Sequence, residues 1–184
     1  KGLVPGVAHK TEAGLVALNL DTPQAAGQAA RAMRERHPTL TSFSLERMVP
    51  GGIETMAGVR NDPQLGPMLA FGWGGVRVEL LGDVAFRRCP VERAGALTLI
   101  GQTRVGKLLQ GFRGAPAGDI EVLADALVAL SRFAYARRDE IAEVELNPLI
   151  VQEAGQGVCA VDALVVRQST TDQPTRRLSC NDAN

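Results

Sequence analysis

The chain has 184 residues, 45% of them hydrophobic, and its 20 basic and 20 acidic side chains cancel to a formal charge of zero. That composition describes one globular domain with room for a real core, and its lack of charge excess argues against nucleic acid or a membrane surface as the main partner. The apolar runs fall well short of the ~20 residues a membrane span needs and nothing resembles a signal peptide, so a soluble, cytoplasmic protein is expected.

The chain opens on Lys1 and runs straight into Gly2-Leu3-Val4-Pro5, which reads as a piece of something longer. Residues 15–20 are predicted as a strand. Asp21-Thr22-Pro23 then caps a helix over residues 25–36 that ends near His37-Pro38, so a crossover unit is expected at the start. Strand candidates follow at 42–49, 53–59, 68–71, 76–81 and 84–88, separated by turn sequences rich in Pro, Gly, Asn and Asp. This middle stretch reads as an antiparallel meander. After Pro90 the pattern turns helical, most clearly over 119–137, where Ile120, Leu123, Leu127, Leu130 and Ala134 recur at helical spacing. A hairpin over 140–167 closes the domain. The fold class predicted is α+β, with helices packed against an antiparallel sheet. The domain covers residues 1–167, and residues 168–184 read as a polar, disordered or loosely attached tail. The odd, widely spaced cysteines Cys89, Cys159 and Cys180 fit buried free thiols better than disulfides or a zinc site.

The closing hairpin carries the strongest chemical signal. In Glu143-Val144-Glu145-Leu146-Asn147-Pro148 a period of two sends Glu143, Glu145 and Asn147 to one face and Val144 and Leu146 into a core. If the hairpin closes around Ala154-Gly155, residues whose numbers sum to 309 lie opposite one another. Asn147 then faces Asp162, with Cβ atoms roughly 5 Å apart. Carboxylate and amide oxygens without His or Cys suit Mg²⁺ or Mn²⁺, which stay partly hydrated and bridge to phosphates. An edge hairpin with a polar outer face would show the same alternation. Asp162 favours the cation, because it interrupts an apolar run and a carboxylate inside a buried strand needs a partner.

Two glycine-bearing loops add weaker signals. In Pro5-Gly6-Val7-Ala8-His9-Lys10-Thr11-Glu12-Ala13-Gly14, His9 has a cation beside it and small residues around it, which suits a histidine nucleophile for phosphoryl transfer; an ordinary loop histidine looks the same. His37, at a helix C-terminus, reads as structural. Phe71-Gly72-Trp73-Gly74-Gly75-Val76, leading to Glu79 and Asp83, has the glycine density at which backbone amides can turn towards an anion, although a strand connection needing positive φ would serve equally. It matches neither the Walker A nor the dinucleotide pattern. Arg87-Arg88 and Arg113 are undecided between phosphate contacts and a solvated surface.

Six motifs in order carry a family resemblance: His9-Lys10-Thr11-Glu12-Ala13-Gly14, Met48-Val49-Pro50-Gly51-Gly52-Ile53-Glu54, Gly58-Val59-Arg60-Asn61-Asp62-Pro63, Phe71-Gly72-Trp73-Gly74-Gly75-Val76, Gly111-Phe112-Arg113-Gly114 and Glu143-Val144-Glu145-Leu146-Asn147-Pro148-Leu149. Together they resemble the ATP-grasp domain of NDP-forming acyl-CoA synthetases, relatives of the succinyl-CoA synthetase β subunit. The resemblance covers residues 1–167. It implies an ATP-grasp fold and an acid–CoA ligase component that interconverts acyl-CoA, ADP and phosphate with acid, CoA and ATP through phosphohistidine. ATP/ADP and Mg²⁺ are the implied cofactors, and CoA-binding and ligase domains, or an α subunit, are the implied partners. By the same resemblance His9 is a second phosphoryl carrier, Asn147 and Asp162 are the metal ligands with Glu145 supporting, and Lys1 lies on the nucleotide phosphates. Lys10, Gly72, Gly74 and Gly75 join the nucleotide-binding set, and Glu46 or Arg47 lies on the strand passing adenine and ribose.

The chain departs from the family pattern in three places. The family has further residues before the position of Lys1, forming the lobe that closes over the nucleotide, so the N-terminal part of the grasp is expected to be missing and the isolated chain to have little turnover. Leu15 stands where a second glycine is common, and Leu45-Glu46-Arg47-Met48 replaces a hinge that often reads Gln-Glu, which affects the adenine contacts. The resemblance also admits an alternative: a regulatory, ligand-sensing domain of this type in a protein acetyltransferase.

Overall fold

The computed structural model describes residues 1–4, 6–7, 10–75 and 82–168, which divide into two compact units, Lys1–Pro50 and Gly51–Asn184. His9, the strand candidate at 76–81 with Glu79, and residues 169–184 with Cys180 lie outside the described residues.

The first unit is built on one helix. Strands β1 (Gly2–Leu3) and β2 (Ser42–Phe43) pair antiparallel, Gly2 opposite Phe43, and helix α1 (Pro23–Arg36) lies between them in sequence. The opening is therefore not a parallel crossover. Thr22 caps α1 by accepting from the Ala25 amide at 3.1 Å, and Pro23 sits where no intrahelical donor is required. At the other end the His37 amide donates to Met33 O and its Nε2 bonds Ala13 O at 2.7 Å, so His37 ties the helix end to the preceding loop. Leu15, Met33 and Leu40 form the core. Gly2 fits against it because a Cβ there would stand 2.8 Å from Leu15 Cδ2.

Two strand predictions fail in this unit. Residues 15–20 form no strand: Asn19 takes φ +56, a left-handed conformation that breaks a ladder, and Leu18 is exposed. The predicted strand 42–49 is reduced to Ser42–Phe43, because beyond Ser44 the chain has no ladder partner and Leu45 is 82% exposed.

The second unit holds an antiparallel sheet of β3 (Ile53–Asp62), β4 (Gly66–Trp73), β5 (Val84–Arg88), β6 (Ile141–Val151), β7 (Val158–Ala160) and β8 (Ala163–Arg167). The order is β5-β4-β3-β6-β7, with β8 also on β6. The expected meander is present as β3-β4-β5. β3 and β4 run longer than the apolar pattern suggested because Asp62 closes their turn, its Oδ1 accepting from the Gln64 and Leu65 amides at 2.8 Å each, while Gly66 takes φ +76. Those backbone bonds hold the Asp62 carboxyl below its usual range.

Helices α2 (Arg93–Gly101), α3 (Arg104–Leu109) and α4 (Ile120–Ala136) cover one face of the sheet. Leu69, Phe71, Ala57 and Val144 from the strands meet Leu99, Leu109, Leu123 and Leu127 from the helices, and all are buried. Truncating one such leucine to Ala costs about 2–5 kcal/mol. Asp119, read as the first residue of the long helix, is its N-cap, and Thr103 caps α3 by accepting from the Gly106 amide at 3.0 Å, while Asp83 Oδ2 accepts from the Arg104 amide at 2.7 Å. Cys89 is buried and unbridged, and burial pushes its thiol up to about 11. Among the described residues no helix is long and apolar enough to cross a membrane.

The opposite face of the sheet is open. Its rows are Phe86, Ala70, Gly58, Glu145 and Leu164, and beside them Arg88, Met68, Arg60, Glu143 and Val166. A concavity of about 770 Å³ lies over Met56, Gly58, Met68 and Ala70, with Arg60, Glu143 and Glu145 at its edge.

Candidate functional site

Strand β6 begins as its alternation requires, with Val144 buried on the helix side and Glu145 on the open face. At Asn147-Pro148 the pairing with β3 slips: Thr55 faces Leu149 while Ala57 faces Leu146, so the single residue Met56 stands opposite two. This is a β-bulge, the position at which a central strand admits a proline that has no amide to donate. The bulge reverses the parity, so that Leu149 and Val151, rather than even-numbered residues, enter the core beyond it. Thr55 closes the irregularity: fully buried, its Oγ1 donates to Leu149 O at 2.7 Å.

On the far side of β6 the hairpin has the predicted register. Leu149 faces Ala160 and Leu146 faces Ala163, both pairs summing to 309. Between them the Asn147 amide donates to Asp162 O at 3.2 Å and the Val161 amide to Pro148 O at 3.0 Å, which sets Asn147 across from Asp162. Asp162 lies in the two-residue break between β7 and β8, with Oδ1 accepting from the Ala163 amide at 3.1 Å. The expectation that it interrupts a buried strand is wrong: every residue of β8 is exposed, and Asp162 sits half-buried at a strand junction.

The Asn147 carboxamide is held at both ends. Its Oδ1 accepts from the Gly75 amide at 2.9 Å and its Nδ2 donates to Glu145 Oε1 at 3.0 Å. An amide hydrogen can only meet the oxygen and a carboxylate can only meet the NH₂, so the two neighbours fix the carboxamide orientation. One lone pair of Oδ1 stays available for a cation. Glu145, Asn147 and Asp162 thus supply two carboxylates and an amide oxygen, a donor set that fits a hard, partly hydrated cation such as Mg²⁺. Among the described residues no group of three His, Cys, Asp or Glu side chains is placed to hold a metal ion.

The glycine loop behaves differently from its anion-cradle expectation. Gly72 belongs to the β4 ladder opposite Met56 and Val84. The Gly74 amide donates to Glu54 O at 3.1 Å, and a Cβ on Gly74 would stand 2.3 Å from Thr55 O, so only glycine fits there. In this structure the Gly74 and Gly75 amides are therefore both given to protein acceptors.

In the first unit two of the candidate nucleotide residues meet. Lys1 Nζ lies 2.7 Å from Glu46 Oε2, and Ser44 Oγ donates to Glu46 Oε1 at 2.8 Å. The Lys1 ammonium, and then the Ser44 hydroxyl, hold the Glu46 carboxyl below its usual range. Lys10 is half-buried in the turn whose carbonyl receives the Leu15 amide, and Arg47 is exposed.

Sequence reasoning missed Thr55 and Asp119 as site supports. Asp119 accepts from the Gly155 and Gly157 amides at 3.0 and 2.9 Å as well as from Val122, so one buried carboxylate caps α4 and fixes the tip of the β6–β7 hairpin. The signal was present in the N-cap position of Asp119 and in Gly155 and Gly157, both at φ +84. Thr55 gave none, since a threonine in a strand is ordinary.

The chain is 36% identical over 163 residues to acetate–CoA ligase [ADP-forming] I of Archaeoglobus fulgidus, covering 86% of this chain and 24% of the relative. It is 33% identical over 172 residues to the β subunit of acetate–CoA ligase [ADP-forming] II of Pyrococcus furiosus, covering 90% of this chain and 73% of that subunit. Acetyl-coenzyme A synthetase 1 of Ca. Korarchaeum cryptofilum was solved with coenzyme A and Mg-AMPPCP, its phosphohistidine segment pointing towards the nucleotide binding site. It superposes with a TM-score of 0.77 at 37% identity, over 90% of this chain and 74% of that one. The chain spans about a quarter of the long relatives it matches and some 73% of the separate β subunit. A family model described as ATP-grasp domain matches residues 1–166, and the chain belongs to the ATP-grasp domains of ADP-forming acetyl-CoA synthetases.

Proposed function

We propose that this chain is the nucleotide- and Mg²⁺-binding, phosphohistidine-transferring part of an ADP-forming acyl-CoA synthetase. The reaction is acyl-CoA + ADP + phosphate = acid + CoA + ATP; the relatives include acetate–CoA ligases, a 4-hydroxybutyrate–CoA ligase and a trans-feruloyl-CoA synthase. The observation that carries this reading is the Asn147 carboxamide, oriented by Gly75 and Glu145 and set opposite Asp162 on the open sheet face. Asn147 and Asp162 would hold Mg²⁺, with Glu145 supporting them; the cation supplies charge neutralisation at the nucleotide phosphates. Lys1, whose Nζ is held 2.7 Å from Glu46 Oε2, is assigned a contact to nucleotide phosphate. Lys10 and Arg47, in the same unit as Lys1, are likewise assigned to nucleotide binding. His9 serves as a phosphoryl carrier with Lys10 beside it.

Because the chain spans about a quarter of the long relatives, turnover is assigned to its assembly with CoA-binding and ligase domains or an α subunit. Incubation of the assembled enzyme with γ-labelled ATP and Mg²⁺ tests the reading. Acid-labile label that disappears in His9→Ala supports it, and unchanged labelling in that variant assigns the carrier elsewhere. The isolated chain is expected to form no ATP from acyl-CoA, ADP and phosphate; turnover by the chain alone would contradict the division of labour.

A further inference from the structure

We propose that Gly75 is a positioning residue for the cation, its amide deciding which end of the Asn147 carboxamide faces the ion; this rests on the reading of Asn147 as a ligand. A carboxamide has two ends of nearly equal shape and opposite hydrogen-bonding character, so a cation is attracted by one and repelled by the other. The Gly75 amide, 2.9 Å from Oδ1, accepts only the orientation that presents oxygen, and Glu145 Oε1, 3.0 Å from Nδ2, draws the donor end away. Glu145 alone leaves rotation about the side chain open; the second contact closes it.

The glycines are what allow the loop to do this. Gly75 takes φ +59, and a Cβ on it would stand 2.9 Å from Glu54 Oε2. Gly74 is pressed against Thr55, where a Cβ would meet Thr55 O at 2.3 Å, and Thr55 in turn bonds Leu149 O just beyond the bulge that carries Asn147. The loop amide and the carboxamide are therefore referenced to the same buried strand residue, which keeps their separation fixed. The density of glycine that suggested an anion cradle is explained here by close approach to β3 and by one hydrogen bond to a ligand side chain.

Mn²⁺ titration of the full-length protein, with free Mn²⁺ read by electron paramagnetic resonance with and without ADP, tests this. Gly75→Ala keeps the amide hydrogen but strains φ +59 and sets a Cβ 2.9 Å from Glu54 Oε2, which shifts the amide away from Asn147 and is expected to weaken Mn²⁺ binding by roughly 10-fold, the lower end of the cost of losing a partner that orients a ligand. Gly66→Ala imposes the same left-handed strain at φ +76 in the same sheet with no atom within 4 Å of its Cβ, and is expected to leave Mn²⁺ binding unchanged. Asn147→Asp puts oxygen at both ends, so adding Gly75→Ala to it should change affinity by less than about twofold. Equal Mn²⁺ affinity in wild type and Gly75→Ala, equal losses in Gly75→Ala and Gly66→Ala, or a full Gly75→Ala loss persisting in the Asn147→Asp background each overturn the positioning role. Absence of Mn²⁺ binding in wild type, or undiminished binding in Asn147→Ala, instead overturns the cation reading beneath it.

Discussion

The Gly75 amide donates to Asn147 Oδ1 across 72 positions of sequence at 2.9 Å, joining the loop after β4 to the bulge of β6. Strand parity puts Asn147 on the open face beside Glu145, at the start of the bulge, and the loop then meets it there, so the candidate ligand is defined by two elements with a buried threonine between them.

Removing that ligand should cost binding more than stability. Asn147 is half-buried, so Asn147→Ala is expected to leave most of the fold's stability in place. It should weaken Mg²⁺-nucleotide binding by about 10-fold or more, the worth of one charge-assisted contact. Calorimetric titration with Mg²⁺ and ADP, beside a thermal melt, separates the two effects.

Thr55→Val keeps shape and deletes one hydroxyl. Leu149 O loses its 2.7 Å donor inside the protein, so a destabilisation of about 1–3 kcal/mol is expected in denaturant unfolding. Because the same bond closes the bulge, Mn²⁺ affinity should fall with it. A stability loss with unaltered affinity would show that the bulge holds Asn147 without Thr55.

Asp119 sets an acid limit. The Gly157 amide, then that of Val122, holds its carboxyl below the usual carboxylate range, so the folded state prefers the ionised form. Its stabilisation is present at pH values above the unfolded value, about 4, and is lost as pH falls through the depressed folded value. Asp119→Asn should therefore be less stable than wild type at neutral pH, and the gap should close on acidification. Thermal melts across that range measure it; a gap independent of pH would contradict the linkage.

The Lys1–Glu46 pair is half-exposed at its acidic end, so its contribution to folding is small, under about 1 kcal/mol. Its expected role is to aim the ammonium. Glu46→Gln should shift the melting temperature by only a few degrees, while Lys1→Ala should lower ADP affinity roughly 10-fold or more, as expected for a charged contact to phosphate. Fluorescence titration with a labelled ADP distinguishes them, and equal ADP affinity in Lys1→Ala and wild type would remove Lys1 from the site.

The closing hairpin was the most legible part of the chain, because strand parity and a turn centred on Ala154-Gly155 suffice to put Asn147 opposite Asp162. The long helix was equally legible from its leucines, its start misjudged by one residue because Asp119 is the cap. Residues 15–20 and 42–49 misled because apolar alternation was present without a neighbouring strand to bond, and because Asn19 takes a left-handed conformation that pattern does not show. The bulge was foreshadowed only by Pro148 in a central strand. The Gly74 and Gly75 amides were expected to face an anion; Gly74 instead continues the β3–β4 register to Glu54 O, and Gly75 reaches Asn147 Oδ1, 72 positions away in sequence. Contacts of that range depend on how the sheet is ordered, which composition and spacing do not encode.

The most direct test is anomalous scattering from Mn²⁺ in crystals of the protein grown with ADP. One peak is expected in direct coordination with Asn147 Oδ1 and an Asp162 carboxylate oxygen, with Glu145 still bonded to Asn147 Nδ2. A nucleotide-bound Mn²⁺ peak away from both residues, with the hairpin unchanged, would contradict it.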